Sequence, residues 1–463
     1  MTRRLVILGA AGRDFHNFNV AYRDDPSATV VAFTATQIPG IAGRRYPASL
    51  AGPRYPSGIP IVDEATLETL CRRERVTEVV FAYSDVTHGH VMRLGSRALA
   101  LGADFVLLGP ERTMLRAGVP VVAVSAVRTG SGKSPIARWL GRRLRARGHR
   151  VAVLRHPMPY ADLERQRSQR FATIADLDAA ACTVEEREEY EPHLAAGNVV
   201  FAGVDYREIA ALATAEADLI VWDGGNNDFP FLRPDLHLVV VDALRPEDAR
   251  GYHPGEAVLR TADVVIVNKV DVATPAQVTR AIDVVREVNA DAPVVRAASP
   301  VRLDDPAAVR GRRVVVIEDG PTLTHGSMPY GAGYVAATAA GAFVVDPRPA
   351  ATPAIKDVFA RYPHIGSVLP ALGYSPEQLE AFRSTVDAVD ADVVVAATPV
   401  DLARLIHVGK PIVRARYEFA ETAEPELGGL VDAWLAHRSK AGRGPQPVSS
   451  SPSTVIAASE RQR

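Results

Sequence analysis

With 463 residues, 47% of them hydrophobic and 23% charged, the chain has the composition of a globular protein of roughly three domains. A net charge of −1 provides no global field for nucleic acid or an acidic membrane surface, so neither is expected as a partner. The two cysteines, Cys71 and Cys182, form no metal or disulfide pattern, and no apolar run approaches the ~18–20 residues of a membrane span; a cytoplasmic chain is expected.

The chain opens with a short apolar strand, Leu5 to Leu8, and the turn Gly9-Ala10-Ala11-Gly12. This is half of a dinucleotide fingerprint. Phe15 stands where a third glycine belongs, and the next strand, Thr29 to Thr34, ends without the acidic residue that would hold a ribose. A Rossmann-like layer that uses its glycines for a tight turn is expected. After a strand over Glu78 to Tyr83, His88 and His90 lie in a polar loop with no carboxylate or cysteine patterned beside them for a metal.

Val121 to Val127 reads as a buried strand, followed by Arg128-Thr129-Gly130-Ser131-Gly132-Lys133-Ser134 and a helically spaced segment from Pro135. Strand, glycine turn, Lys-Ser and helix make a P-loop. Its backbone N–H groups, from Thr129 to Ser134, point at phosphate; Lys133 reaches the terminal phosphates, and Ser134 supplies a hydroxyl to Mg²⁺. Gly130 and Gly132 permit the close approach. Val127 replaces the usual first glycine, so the loop must close on a different backbone.

Arg155 and His156 end the next strand and are candidate anion contacts; the acidic run from Thr183 to Glu191 reads as a solvated helix face. Leu219-Ile220-Val221-Trp222-Asp223-Gly224-Gly225 is an apolar strand ending in Asp-Gly-Gly. This Walker B pattern gives Asp223 to Mg²⁺ and brings Gly225 to the terminal phosphate, with Asn226, Asn227 and Asp228 as a dense polar group beyond it. Asn268-Lys269-Val270-Asp271 follows a further strand. In that position it reads as a guanine-recognition loop: Asp271 accepts from the base, Lys269 packs its stem on it, and Asn268 ties the loop to the phosphate turn. GTP is therefore favoured over ATP.

Downstream, a strand leads to Glu318-Asp319-Gly320-Pro321-Thr322-Leu323-Thr324-His325-Gly326, with carboxylates, threonines and a histidine at a strand end, where α/β scaffolds place chemistry. His325 is a candidate acid, base or phosphate contact. A further α/β stretch follows, and beyond Ala436 a Ser-, Pro-, Gly- and Arg-rich tail is expected to be disordered.

Taken in order, the motifs Trp222 to Asp228, Tyr252-His253-Pro254-Gly255-Glu256, Asn268 to Asp271 and Glu318 to Gly326 resemble those of a predicted GTPase family related to cyclic 2,3-diphosphoglycerate synthetase. The resemblance runs from about Gly9 to Phe419. It implies a SIMIBI-type P-loop domain and ATP- and Mg²⁺-dependent closure of a phosphoanhydride. Arg128 stands where such proteins carry a lysine that reaches a partner subunit's nucleotide, which implies a homodimer and a charge-stabilising role.

The resulting expectation is an α/β protein with a Rossmann-like domain over 1–117, a mostly parallel P-loop NTPase domain over 118–340, an α/β extension over 341–435 and a tail over 436–463. It is expected to be a Mg²⁺-dependent NTPase coupling nucleotide cleavage to phosphoryl transfer onto a small phosphorylated or carboxylated metabolite. Lys133, Asp223, Arg128 and His325 are its candidate catalytic residues. The alternatives are a regulatory or maturation GTPase with a protein client, and a redox enzyme in which the P-loop is vestigial.

Overall fold

The structure, a computed structural model, describes residues 2–36, 41–155, 162–225, 227–324, 328–371, 376–422 and 426–440. Three mostly parallel sheets succeed one another along it. In the first, Arg3–Leu8 lies between Ala28–Ala35 and Glu78–Phe81, and Asp104–Leu107 forms one edge. Its strands alternate with helices such as His88–Ala100, which Thr87 caps by accepting the His90 N–H.

The central sheet is built around Val121–Ala126, whose six residues are all buried. Such an uninterrupted apolar strand belongs inside a parallel sheet covered on both faces. Leu219–Asp223 pairs on one side of it and Leu236–Asp242 on the other, with Val264–Asn268 next. Chain order reverses beside Val121–Ala126, so the carboxyl ends of these strands open a crevice there. The helix Lys133–Ala146 covers one face and buries Ile136, Ala137, Leu140 and Leu144. Each of its larger side chains contributes about 1.5–3 kcal/mol on burial.

The third sheet begins at Val301–Leu303, earlier than the boundary expected near 340. Arg313–Glu318, expected in the P-loop domain, pairs along its length with Val393–Ala397 and is interior to the third sheet. The chain then returns to the central domain. Ala420–Glu421 extends the central sheet's edge, and Leu427 and Val431 of the helix Leu427–Lys440 join the core around Ile136 and Leu140. The expected tail from 436 is thus helical as far as Lys440; residues 441–463 lie outside the described residues.

The acidic segment is not a solvated face. Val184–Ala195 is a helix in which Glu185, Glu186, Glu188, Glu191 and His193 are buried. Its carboxylates are consumed locally: Glu186 caps the helix through Thr183, Glu188 accepts from the Thr398 hydroxyl at 2.5 Å, and Glu191 pairs with Arg187 at 3.0 Å.

Candidate functional site

One cavity of about 220 Å³ gathers elements from the second and third sheets. The phosphate turn enters it through Thr129, Gly130, Gly132, Lys133 and Ser134, the Walker B strand through Gly224 and Gly225, and the third sheet through Glu318 and Asp319. Gly130 and Gly132 have φ of +78° and +103°. At Gly132 a Cβ would meet Asn268 Nδ2 at 2.3 Å, so glycine is what lets that side chain reach the loop. Val127, in place of the first glycine, simply prolongs its strand: its N–H donates to the Val240 carbonyl at 3.0 Å and its side chain joins the core beside Val239 and Val241.

The loop is braced from behind. Asn268 Nδ2 donates to the Ser131 carbonyl at 2.9 Å, and Lys269 Nζ donates to the Gly130 carbonyl and to Asp242, both at 2.7 Å. The strand register that sets Asp242 beside Asn268 makes the second contact reachable. Asp271 is exposed, and its carboxylate accepts the Ser299 N–H at 3.0 Å. Lys269, Val272, Ser299 and Val301 also line the cavity.

Asp223 is fully buried. Burial alone would raise its carboxyl, but the Arg155 guanidinium at 2.8 Å and the His193 ring at 2.9 Å outweigh this and hold it below the usual carboxylate range. Both contacts fall on Oδ2; Oδ1 is buried and lacks a hydrogen-bond partner among the described residues. That orphaned oxygen, one residue before the cavity-lining Gly224, and the hydroxyl of Ser134, which lines the cavity, are the donor chemistry a Mg²⁺ requires. Arg155, a candidate anion contact, lines the cavity and also clamps the Walker B turn, donating to the carbonyls of Asp223 and Gly224 and pairing with Glu189. His156 and Asn226 lie outside the described residues.

Lys133 is buried, which lowers its ammonium to about 8 against the raising pull of Asp223. Facing it from the third domain, Glu318 is pushed up to about 7 by burial, although the N–H groups of Tyr334 and Gly333 donate to it at 2.7 and 3.1 Å. Asp319 is likewise raised by burial and accepts the Thr322 hydroxyl at 2.5 Å. His325 lies outside the described residues.

Two expected site features belong elsewhere. Arg128 is not in the cavity; its guanidinium is buried against Asp85 at 2.7 Å, pairs with Asp248, and lies 3.5 Å from the Tyr252 ring centre. It therefore joins the first two domains rather than reaching a second nucleotide. Asn227 ties the Val127 and His253 carbonyls, and Asp228 faces Arg13 and Ser84, so the polar group after Asp223 is a domain seam. The glycine turn of the first domain is closed as well: the Asp14 carboxylate accepts the Ala11 N–H at 2.7 Å and fills the space beside Gly9 where a pyrophosphate would lie.

The sequence did not single out His193, Glu189 or Tyr417. His193 was hidden in the acidic helix, and only its contact with Asp223 distinguishes it from a core histidine. Tyr417 lines the cavity from the third sheet. Among the described residues, no helix is long and apolar enough to cross a membrane.

Comparison with known proteins finds an arginine synthetase, ArcE of Thermococcus kodakarensis, 53% identical over 439 residues, which cover 95% of this chain and 98% of that protein. A tetraacyldisaccharide 4'-kinase of Anaeromyxobacter sp. strain K is 31% identical over 224 residues, 44% of this chain and 57% of the kinase. Among solved structures, LpxK of Aquifex aeolicus in complex with ATP aligns over 75% of this chain and 96% of its own, at 13% identity and a TM-score of 0.39. No family model matches. The chain is a P-loop NTPase with synthetase and kinase relatives.

Proposed function

Since the chain belongs to the family of the arginine synthetase ArcE, we propose that it is a nucleotide-driven ligase that builds a guanidinium group on an amino acid. The observation that carries this reading is the carboxylate pair Glu318 and Asp319, which shares one cavity with the phosphate turn. Carboxylates there repel a polyanionic acceptor such as 2,3-diphosphoglycerate and favour a neutral acceptor that becomes a cation.

The chemistry balances for a ureido amino acid. Its ureido oxygen attacks the γ-phosphorus of GTP or ATP, releasing nucleoside diphosphate; ammonia then adds to the ureido carbon, and the oxygen departs with phosphate, leaving arginine. Lys133 and the N–H groups of Gly130 to Ser134 bind the β- and γ-phosphates and stabilise the transferring charge. Ser134 and Asp223 would hold a Mg²⁺, which would supply further charge neutralisation during the transfer. Glu318 and Asp319 face the developing cation and orient the ureido carbon.

The test is a single reaction series with Mg²⁺, GTP or ATP and ammonia. Citrulline, the ureido analogue of arginine, is the acceptor in one arm and 2,3-diphosphoglycerate in another. One arginine per phosphate released is expected. A cyclic diphosphoglycerate, or phosphate release that only a protein partner stimulates, would overturn the reading.

A further inference from the structure

A second and larger cavity, of about 380 Å³, lies where the phosphate-turn helix, the buried acidic helix and the third sheet meet. Five arginines line it: Arg138 and Arg142 from the helix Lys133–Ala146, and Arg404, Arg414 and Arg416 from the third domain. Glu191, Asp401 and Glu418 also line it. These acids answer only part of that charge: Glu418 lies near Arg138 and Arg416, and Asp401 forms an ion pair with Arg414 at 3.7 Å. Glu191 is taken by Arg187, which is not a lining residue. Glu418 is exposed.

Two of the arginines are also engaged. Arg414 donates to the Pro399 carbonyl at 3.1 Å, and Arg416 pairs with Asp304 at 2.7 Å. Among the described residues Arg138, Arg142 and Arg404 have no ion pair and no side-chain hydrogen bond. Arg138 is only partly exposed, so its charge is not simply spread in solvent. Guanidinium groups left unpaired in a concave site are a field that concentrates anions. Groups arriving from two domains suit a tetrahedral oxyanion, which offers oxygens in several directions, better than a planar carboxylate, which accepts one bidentate fork.

We infer that this cavity binds a small phosphorylated metabolite, at a site distinct from the nucleotide cavity. Tyr417 lines both cavities, and the arginines on the two walls belong to the two domains that enclose the nucleotide. A phosphate bridging Arg138 and Arg404 holds those domains together and so favours the closed nucleotide site; its binding energy is the coupling. The inference does not depend on which acceptor the reaction uses.

The experiment measures inorganic phosphate binding to the full chain by titration calorimetry. The proteins are the wild type, Lys133→Ala, and the double variant Arg142→Gln/Arg404→Gln. Both substituted arginines of the double variant are exposed and unpaired, so its fold should survive, and an unchanged melting temperature checks this. Phosphate should bind the wild type, persist in Lys133→Ala, and weaken at least tenfold in the double variant, while nucleotide affinity in the double variant without phosphate stays within twofold. Saturating phosphate should tighten nucleotide binding in the wild type with a phosphate midpoint that the double variant loses. Loss of all phosphate binding in Lys133→Ala, or unchanged binding in a folded double variant, would overturn the inference. Failure of arginine formation in the assay above would leave these readouts intact.

Discussion

The His193 ring stands 2.9 Å from Asp223 Oδ2, and its other ring nitrogen faces the Asn198 amide at 3.1 Å. The histidine thus fixes which carboxylate oxygen is left for a cation. Such outer contacts typically govern metal affinity by 10–100-fold. His193→Ala is expected to weaken Mg²⁺ dependence of turnover by about 10-fold or more, with nucleotide affinity in the absence of Mg²⁺ nearly unchanged. A Mg²⁺ titration of the initial rate checks it; an unchanged Mg²⁺ midpoint would show that His193 is only a core contact.

The base end offers a separate test. Asp271 is held by the Ser299 N–H, and guanine recognition is the role proposed for its free acceptor capacity. Asp271→Asn should cost GTP on the order of 10-fold in affinity, as the loss of a charge-assisted hydrogen bond does, and leave ATP unaffected. Competition binding with both nucleotides measures this. Equal changes for the two would remove Asp271 from base selection and leave ATP as ready a donor as GTP.

Arg128 is expected to act on stability rather than chemistry. It and Asp85 are almost wholly buried, at 2% and 1% side-chain exposure. Removing one member of a buried pair typically costs 3–5 kcal/mol, because the other charge is left uncompensated. Arg128→Met should therefore lower unfolding stability by about that amount, and adding Asp85→Asn should recover part of it. Urea melts read both. A full-strength fold with lost turnover in Arg128→Met would return the arginine to the reaction.

Opposite proton linkages should distinguish the nucleotide from the product, arginine. Lys133 sits at about 8, and triphosphate favours its charged form, so nucleotide binding near pH 8 should take up protons and weaken as pH rises through that value. Glu318 sits at about 7, and a guanidinium beside it favours the carboxylate, so arginine binding near pH 6–7 should release protons. Calorimetry in buffers of differing ionisation enthalpy gives both signs. Lys133→Ala should abolish the first linkage along with turnover, and Glu318→Gln the second. Turnover close to wild type in Lys133→Ala would take the phosphate turn out of the mechanism.

Local patterns carried much of the molecule. The valine run before Arg128, the glycines at 130 and 132, and the apolar spacing from Pro135 specify strand, turn and helix through nearest-neighbour physics alone, and the structure has each. The same holds for the strand that ends in Asp223. Composition misled where burial decides. Glutamates at 186 and 188 read as solvated because nothing in the string shows Gln166 or Thr398 waiting for them.

By itself, the sequence determined the three α/β layers and the phosphate-binding turn, because hydrophobic period, glycine placement and strand-end polarity are encoded within a few residues of one another. Tertiary structure alone decided which carboxylates share the phosphate cavity, that Arg128 is a seam between domains, that His193 touches Asp223, and that the third sheet starts at Val301. Each of those relations joins residues tens to hundreds of positions apart. They are set by how sheets stack and where their strand ends converge, and no local pattern records that.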